Sequence, residues 1–279
     1  MLPELRKLRY CMMDREIETA LLQVGIGTDE ELFFLPLSEH ELPRGLFLSV
    51  RSKADYYAAA QRYRTELLMA YAEKGVRFIS TDGVVICPTA RIGEGTVIWP
   101  NVQIKDGTVV GKDCEITAGS VISGCTVGDG CLINATQMYD SVLEDGVKIG
   151  PFSHVRPGTH LRAGVKVGDF VEFKNADVGS GTKVAHLTYI GDADVGEDVN
   201  FGCGTVVSNY DGRNKYRTVI GDHAFIGCNT NLIAPVKVGD GAYTAAGSTI
   251  TDEVPDGALG IARARQVNLD GWVKRKFDR

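Results

Sequence analysis

Residues 220–250 read IGDHAFIGCNTNLIAPVKVGDGAYTAAGSTI, with Ile220, Ile226, Leu232, Val238, Thr244 and Ile250 at every sixth position. The same interval runs upstream through Ile92, Ile98, Ile104, Val110, Ile116 and Ile122, and again through Ile149, Val155, Leu161, Val167 and Phe173. Six matches neither the period of a helix, about 3.6 residues, nor the two-residue alternation of a strand. Three six-residue sides instead close an eighteen-residue coil. The expected fold is mainly β, a hexapeptide-repeat parallel β-helix preceded by a small α-rich region. One coil cannot bury its own apolar face, so stacked coils share a continuous core. Glycine follows the apolar residue at Gly93, Gly111, Gly128, Gly168 and Gly239 among others, where a tight corner would be obstructed by a side chain.

Composition is consistent with this. Glycine supplies 33 of 279 residues, about 12% against a usual 7%. A formal net charge of −6 gives no global positive field for nucleic acid or an anionic membrane. The seven cysteines, Cys11, Cys87, Cys114, Cys125, Cys131, Cys203 and Cys228, are odd in number and lack CxxC spacing. They read as free thiols in a reducing compartment. With no run of eighteen apolar residues and no basic-then-apolar leader, a cytoplasmic protein is expected.

The organisation expected has four parts: residues 1–51 of unknown role, a linker helix over 52–77, the β-helix over 78–251, and a tail over 252–279 ending in Lys274, Arg275, Lys276 and Arg279. The first region suggests a helix near Pro3–Gln23 and apolar runs at 32–37 and 46–50. Ser52 with Asp55 reads as a capping box for a helix from Lys53 to about Lys74, and Gly75 as its left-handed stop. The hexad is interrupted by five-residue steps, Phe173 to Val178 and Ile190 to Val195. A longer interruption, the polar stretch from Ser208 to Arg217, is expected to project as a loop, where function concentrates on a rigid solenoid.

His186 follows the core residue Val184, and a neutral imidazole is suited to removing a proton near neutral pH; the plainer reading is a hydrogen-bonding partner of a neighbouring coil. Arg156, Lys174 and Lys215 could converge on an anion such as a sugar phosphate, or be solvated corner charges. Asn200 reads as a sugar ligand or a satisfied corner amide. His154 and His160, six residues apart, fall on successive sides of a coil, so one metal ion could not readily take both. Val24-Gly25-Ile26-Gly27-Thr28 only superficially echoes a phosphate loop.

From Arg156 to Arg265 the chain resembles the C-terminal acetyltransferase domain of the bacterial bifunctional UDP-N-acetylglucosamine pyrophosphorylase/glucosamine-1-phosphate N-acetyltransferase family. The resemblance rests on Arg156-Pro157-Gly158, the run from Gly168 to Lys174, Gly181-Thr182-Lys183, His186-Leu187-Thr188-Tyr189-Ile190-Gly191-Asp192-Ala193, the run from Gly196 to Gly202, Asn209-Tyr210-Asp211-Gly212 with Lys215, and Ala234-Pro235-Val236. It implies a left-handed parallel β-helix assembled as a homotrimer with sites between subunits. By position, His186 matches the family's general base. Arg156, Lys174, Tyr189, Asn200 and Lys215 match residues holding the amino sugar phosphate, and Cys203, Asn209, Tyr210, Cys228, Ala246 and Arg263 match positions that contact acetyl-CoA. Cys203 stands where alanine is common and Cys228 where serine is common.

The implied reaction is acetyl transfer from acetyl-CoA to glucosamine-1-phosphate, on the route to UDP-N-acetylglucosamine, and it needs no metal. The family's Gly-rich uridyltransferase signature is absent from residues 1–51, so uridyl transfer is not expected. The alternatives are an acetyltransferase acting on another amino sugar or sugar nucleotide, a non-catalytic trimeric scaffold for a separate uridyltransferase, and a zinc-dependent trimer resembling carbonic anhydrase.

Overall fold

The structure, a computed structural model, describes residues 53–277 and, ahead of them, two short strands, Leu32–Phe33 and Leu48–Ser49. These strands lie within the two expected apolar runs and pair antiparallel. The helix expected at Pro3–Gln23, Ser52 of the capping box and the Val24–Thr28 segment lie outside the described residues.

From Arg77 the chain winds into a parallel β-solenoid. Its strands lie on three faces, and residues about eighteen apart pair in register: Ile98 with Ile116 on one face, Ile104 with Ile122 on the second and Ile92 with Val110 on the third. Consecutive hexad residues therefore visit the three faces in turn. The first face alone is an 11-stranded parallel sheet, from Arg77–Phe78 to Leu259–Gly260. The other two are joined where the seven-residue strands Glu172–Val178 and Tyr189–Val195 run across their shared corner. Hexad residues point inward and are buried, including Ile98, Ile104, Ile122, Leu161, Phe173, Ile226 and Leu232 at 0% exposure. Coil-to-coil pairing continues past Thr251, with Val238 bridging Val254 and Tyr243 pairing with Leu259.

Two features explain the corner residues. A Cβ on Gly111 would lie 2.6 Å from the carbonyl oxygen of Gly128 on the next coil, so only glycine lets the coils stack there. Aspartates serve as capping groups between coils: Asp129 accepts the backbone N–H of Lys112, and Asp145 that of Asp129, each at 2.7 Å.

The helix Lys53–Glu73 ends as the sequence suggests, with Gly75 at φ +90°. Its Tyr63, Leu67, Leu68 and Tyr71 are buried in the same core as the coils, closing one end of the solenoid. The Tyr71 hydroxyl donates to the Ala90 carbonyl at 2.6 Å, and burial pushes its pKa up to about 12.

Candidate active site

The coil carrying Lys166 is one residue short. Lys166 pairs with Lys183 and Val167 with Val184, seventeen residues on, because one side of the coil takes five residues instead of six. This shortened coil sets Asp169 in register with His186 at the end of the first face. Asp169 Oδ1 lies 2.5 Å from His186 Nδ1. An ionised carboxylate can only accept, so Nδ1 carries the proton and donates, and the lone pair of the neutral ring is left on Nε2. The hydrogen bond from His186 holds the Asp169 carboxyl below its usual range. His186 itself is exposed, so Nε2 is free to meet a reactant.

His186 also begins a row. The Gly204 N–H donates to the His186 carbonyl (3.4 Å), that of Asn229 to Cys203 (2.8 Å), and that of Gly247 to Cys228 (2.8 Å). His186, Cys203, Cys228 and Ala246 therefore occupy the same corner of four successive coils. Arg263 falls outside this row: the Ala262 carbonyl before it accepts the Thr249 N–H at 3.1 Å, which sets Arg263 beside Thr249 on the second face. Three of the expected acetyl-CoA positions, Cys203, Cys228 and Ala246, thus form a line leading away from His186.

The expected sugar-phosphate residues flank the same corner. Asn200 lies on the first face, in register with Lys183. Tyr189, Lys174 and Arg156 lie on the second, where Glu172 pairs with Tyr189 and Lys174 with Gly191. Gly191 makes room for the tyrosine ring, since a Cβ there would lie 2.3 Å from the Tyr189 hydroxyl oxygen. Arg156 Nη1 donates to Glu172 Oε1 at 3.0 Å. Lys215 lies on the projecting segment, where it bridges Tyr210.

A buried carboxylate that sequence reasoning passed over organises this side. Asp192, 7% exposed and at φ +47°, accepts from Lys174 Nζ at 2.9 and 3.0 Å, from Asn175 Nδ2 at 2.7 Å, and from Asn209 Nδ2. Burial works to raise its pKa, but the hydrogen bonds from Asn175, Lys174 and Asn209 outweigh it and leave it below the usual range. In return, the Asp192 carboxylate raises the pKa of Lys174. Asp192 thereby joins Lys174 of the expected acceptor site to Asn209 of the expected cofactor site.

The projecting segment is an ordered hairpin. Tyr210 and Lys215 form an antiparallel bridge, and Asp211 Oδ1 accepts the N–H groups of Arg213 and Asn214, both at 2.7 Å. Arg217 fixes its base by donating to Asp194 Oδ2 at 2.6 Å and to the carbonyls of Asn175 and Ala193 at 3.1 and 3.0 Å. Tyr210 remains exposed.

The remaining described histidines are dispersed. His154 meets the Tyr139 ring edge-on at 5.8 Å, and His160 Nε2 lies 2.8 Å from Glu144. The two fall on different faces, pairing with Gln137 and Val142. Among the described residues no group of three or more His, Cys, Asp or Glu is arranged to hold a metal, and no helix is long and apolar enough to cross a membrane.

Two stretches, residues 89–124 and 217–252, match the family described as bacterial transferase hexapeptide (six repeats). With the solenoid and the cornered His–Asp pair, these matches make the chain similar to the hexapeptide-repeat transferases. Over 229 residues it is 49% identical to the bifunctional protein GlmU of Caldicellulosiruptor saccharolyticus and 51% identical to that of Clostridium perfringens. Each alignment covers 82% of this chain and 50% of the relative. The chain therefore spans about half the length of the curated relatives it matches, and the part it resembles is their C-terminal acetyltransferase part. A solved UDP-N-acetylglucosamine acyltransferase from Arabidopsis shares the fold, with a TM-score of 0.55 at 18% identity over 70% of this chain and 76% of that one.

Proposed function

We propose that the chain transfers acetyl from acetyl-CoA to the amine of glucosamine-1-phosphate, supplying N-acetylglucosamine-1-phosphate for UDP-N-acetylglucosamine synthesis. The observation that carries this reading is the His186–Asp169 pair at the head of the Cys203–Cys228–Ala246 row. The amine nitrogen attacks the thioester carbonyl. His186 Nε2 takes the proton the amine sheds, and the CoA sulfur leaves with the electrons of the broken C–S bond. A backbone N–H near Cys203 serves the oxyanion. Asp169 keeps the imidazole in the tautomer that can accept, a positioning role.

Arg156, Lys174 and Lys215 anchor the acceptor's phosphate, with Tyr189 and Asn200 lining the sugar. Glu172 and Asp192 already hold Arg156 and Lys174 in place, so the phosphate meets preorganised cations. Asn209, Tyr210 and Arg263 complete the acetyl-CoA site. The four-part division of the chain is proposed with it, with the β-helix carried on to Leu259–Gly260 where strand pairing ends, as is a cytoplasmic setting, which suits free thiols.

A homotrimer with sites between subunits fits a further feature. Phe152, Phe170 and Leu187 are 56–62% exposed on three successive coils beside Asp169 and His186. Each takes a left-handed φ of 47–59°, a conformation bulky residues rarely adopt, and the two phenylalanine rings stack at 5.5 Å. An exposed apolar ridge of this kind marks an interface. Acceptor competition tests the substrate: glucosamine-1-phosphate should give the highest kcat/KM among amino sugars, their 1-phosphates and sugar nucleotides. A higher value for another acceptor would reassign the substrate while leaving acetyl transfer in place.

A further inference from the structure

The described cysteines fall into two groups. Cys87, Cys114, Cys125 and Cys131 are buried, at 3% exposure or less. Cys203 is only partly buried and Cys228 is exposed. These two accessible thiols are neighbours. Asn200 pairs with Phe225 and Phe201 with Ile226, which sets residue 203 against residue 228 two positions further on. The Asn229 N–H donates to the Cys203 carbonyl at 2.8 Å, so the register holds through the corner. Each cysteine also directly precedes a residue at positive φ, Gly204 and Asn229.

Neighbouring strands stand about 4.8 Å apart, inside the range of roughly 4.4–6.8 Å that the Cα atoms of a disulfide span. Side chains leaving the coils in parallel would keep their Cβ atoms about as far apart, slightly beyond the roughly 3.5–4.5 Å of a relaxed disulfide. Closure needs a tilt on the order of 0.5 Å at an accessible corner, and the resulting strain makes the bond easy to reduce.

We propose that Cys203 and Cys228 form an oxidisable dithiol, a modification site that closes the acetyl-CoA row when the two sulfurs bond. With a peroxide as oxidant, one thiolate attacks the O–O bond and becomes a sulfenic acid, and the departing oxygen leaves as water. The second thiol then attacks that sulfur, expelling the hydroxyl as a second water. The peroxide is reduced, two thiols are oxidised, and a dithiol reductant reverses the bond by exchange. The consequence for acetyl-CoA rests on reading this row as the cofactor site; the disulfide does not.

The full chain is treated with hydrogen peroxide, blocked with an alkylating reagent under denaturing conditions, and analysed by intact mass and peptide mapping. Acetyl-CoA affinity is titrated calorimetrically before oxidation, after it, and after dithiothreitol. The expected result is a loss of two hydrogens in a peptide linking Cys203 to Cys228, absent from Cys203→Ser and Cys228→Ser, with affinity falling roughly tenfold or more and returning on reduction. Irreversible sulfinic acids at either thiol, or links to other cysteines instead, would overturn the proposal. An acetyl-CoA affinity unchanged by a formed 203–228 link would overturn the closure. A reduced protein that binds no acetyl-CoA would instead count against the cofactor reading, and the linked peptide would still decide the dithiol.

Discussion

Asp169 and His186 are seventeen residues apart in sequence and 2.5 Å apart in space, because the coil between them is shortened by one residue. Removing the carboxylate charge while keeping the shape tests what the contact does. Asp169→Asn should lower kcat by roughly 10- to 100-fold, because an amide can donate to Nδ1 and leave the wrong tautomer. Its pH–rate profile should shift as well. Unchanged kcat and profile would show that His186 needs no partner.

Asp192 and Lys174 set a pH window for stability. The Asp192 pKa is lowered in the fold, so its contribution is fully present above the unfolded carboxylate value, about 3.9, and is lost as pH falls through the lower folded value. The Lys174 pKa is raised, so its contribution is present below the unfolded value, about 10.4, and is lost as pH rises through the higher folded one. Asp192→Asn should lower Tm most between these limits and flatten its fall on acidification. It should also raise KM for both substrates, because Asp192 holds Lys174 and Asn209 together. A Tm against pH curve parallel to that of the wild type would contradict this.

Gly191 is needed for the tyrosine above it. Gly191→Ala places a methyl group 2.3 Å from where the Tyr189 hydroxyl oxygen lies. Tyr189 is only partly buried, so the ring should swing away while the coil stays folded. Steady-state kinetics should show a several-fold higher KM for the acceptor, with KM for acetyl-CoA little changed. An equal rise in both would point to a general distortion.

The hexad makes a prediction of its own. Ile104 points inward at 0% exposure and Val109 outward at 41%. Ile104→Ala should cost about 2–5 kcal/mol in chemical denaturation, and Val109→Ala within about 0.5 kcal/mol. Similar costs at both would mean that the six-residue reading misplaces the core.

The solenoid was legible because its signal repeats: each inward residue in the runs around Ile98, Leu161 and Ile226 is one more instance of the same constraint, and all are buried. The row proposed for acetyl-CoA is marked only by resemblance, since the corner residues Cys203, Cys228 and Ala246 have nothing in their chemistry that marks a site. Asp169 could have been found by arithmetic. The five-residue step from Phe173 to Val178 shortens the coil to seventeen, and 169 plus 17 is 186. Asp192 left no such signal, because its role depends on Asn175 and on an asparagine at the base of a hairpin, and neither contact follows from the period. Arg217 was missed for the same reason: it read as the end of a polar loop, yet it ties that loop to Asp194 and to two carbonyls.

The most direct test follows CoA release from acetyl-CoA by mass spectrometry, with glucosamine-1-phosphate as acceptor, in the wild type and in His186→Ala. Mass detection keeps the protein's own thiols out of the reading. Turnover in the wild type that falls by about 10² to 10⁴ in the variant is the expected result, the usual worth of a general base. A variant that keeps turnover within about threefold of the wild type would contradict His186 as the base, and a wild type without turnover would contradict the proposed reaction.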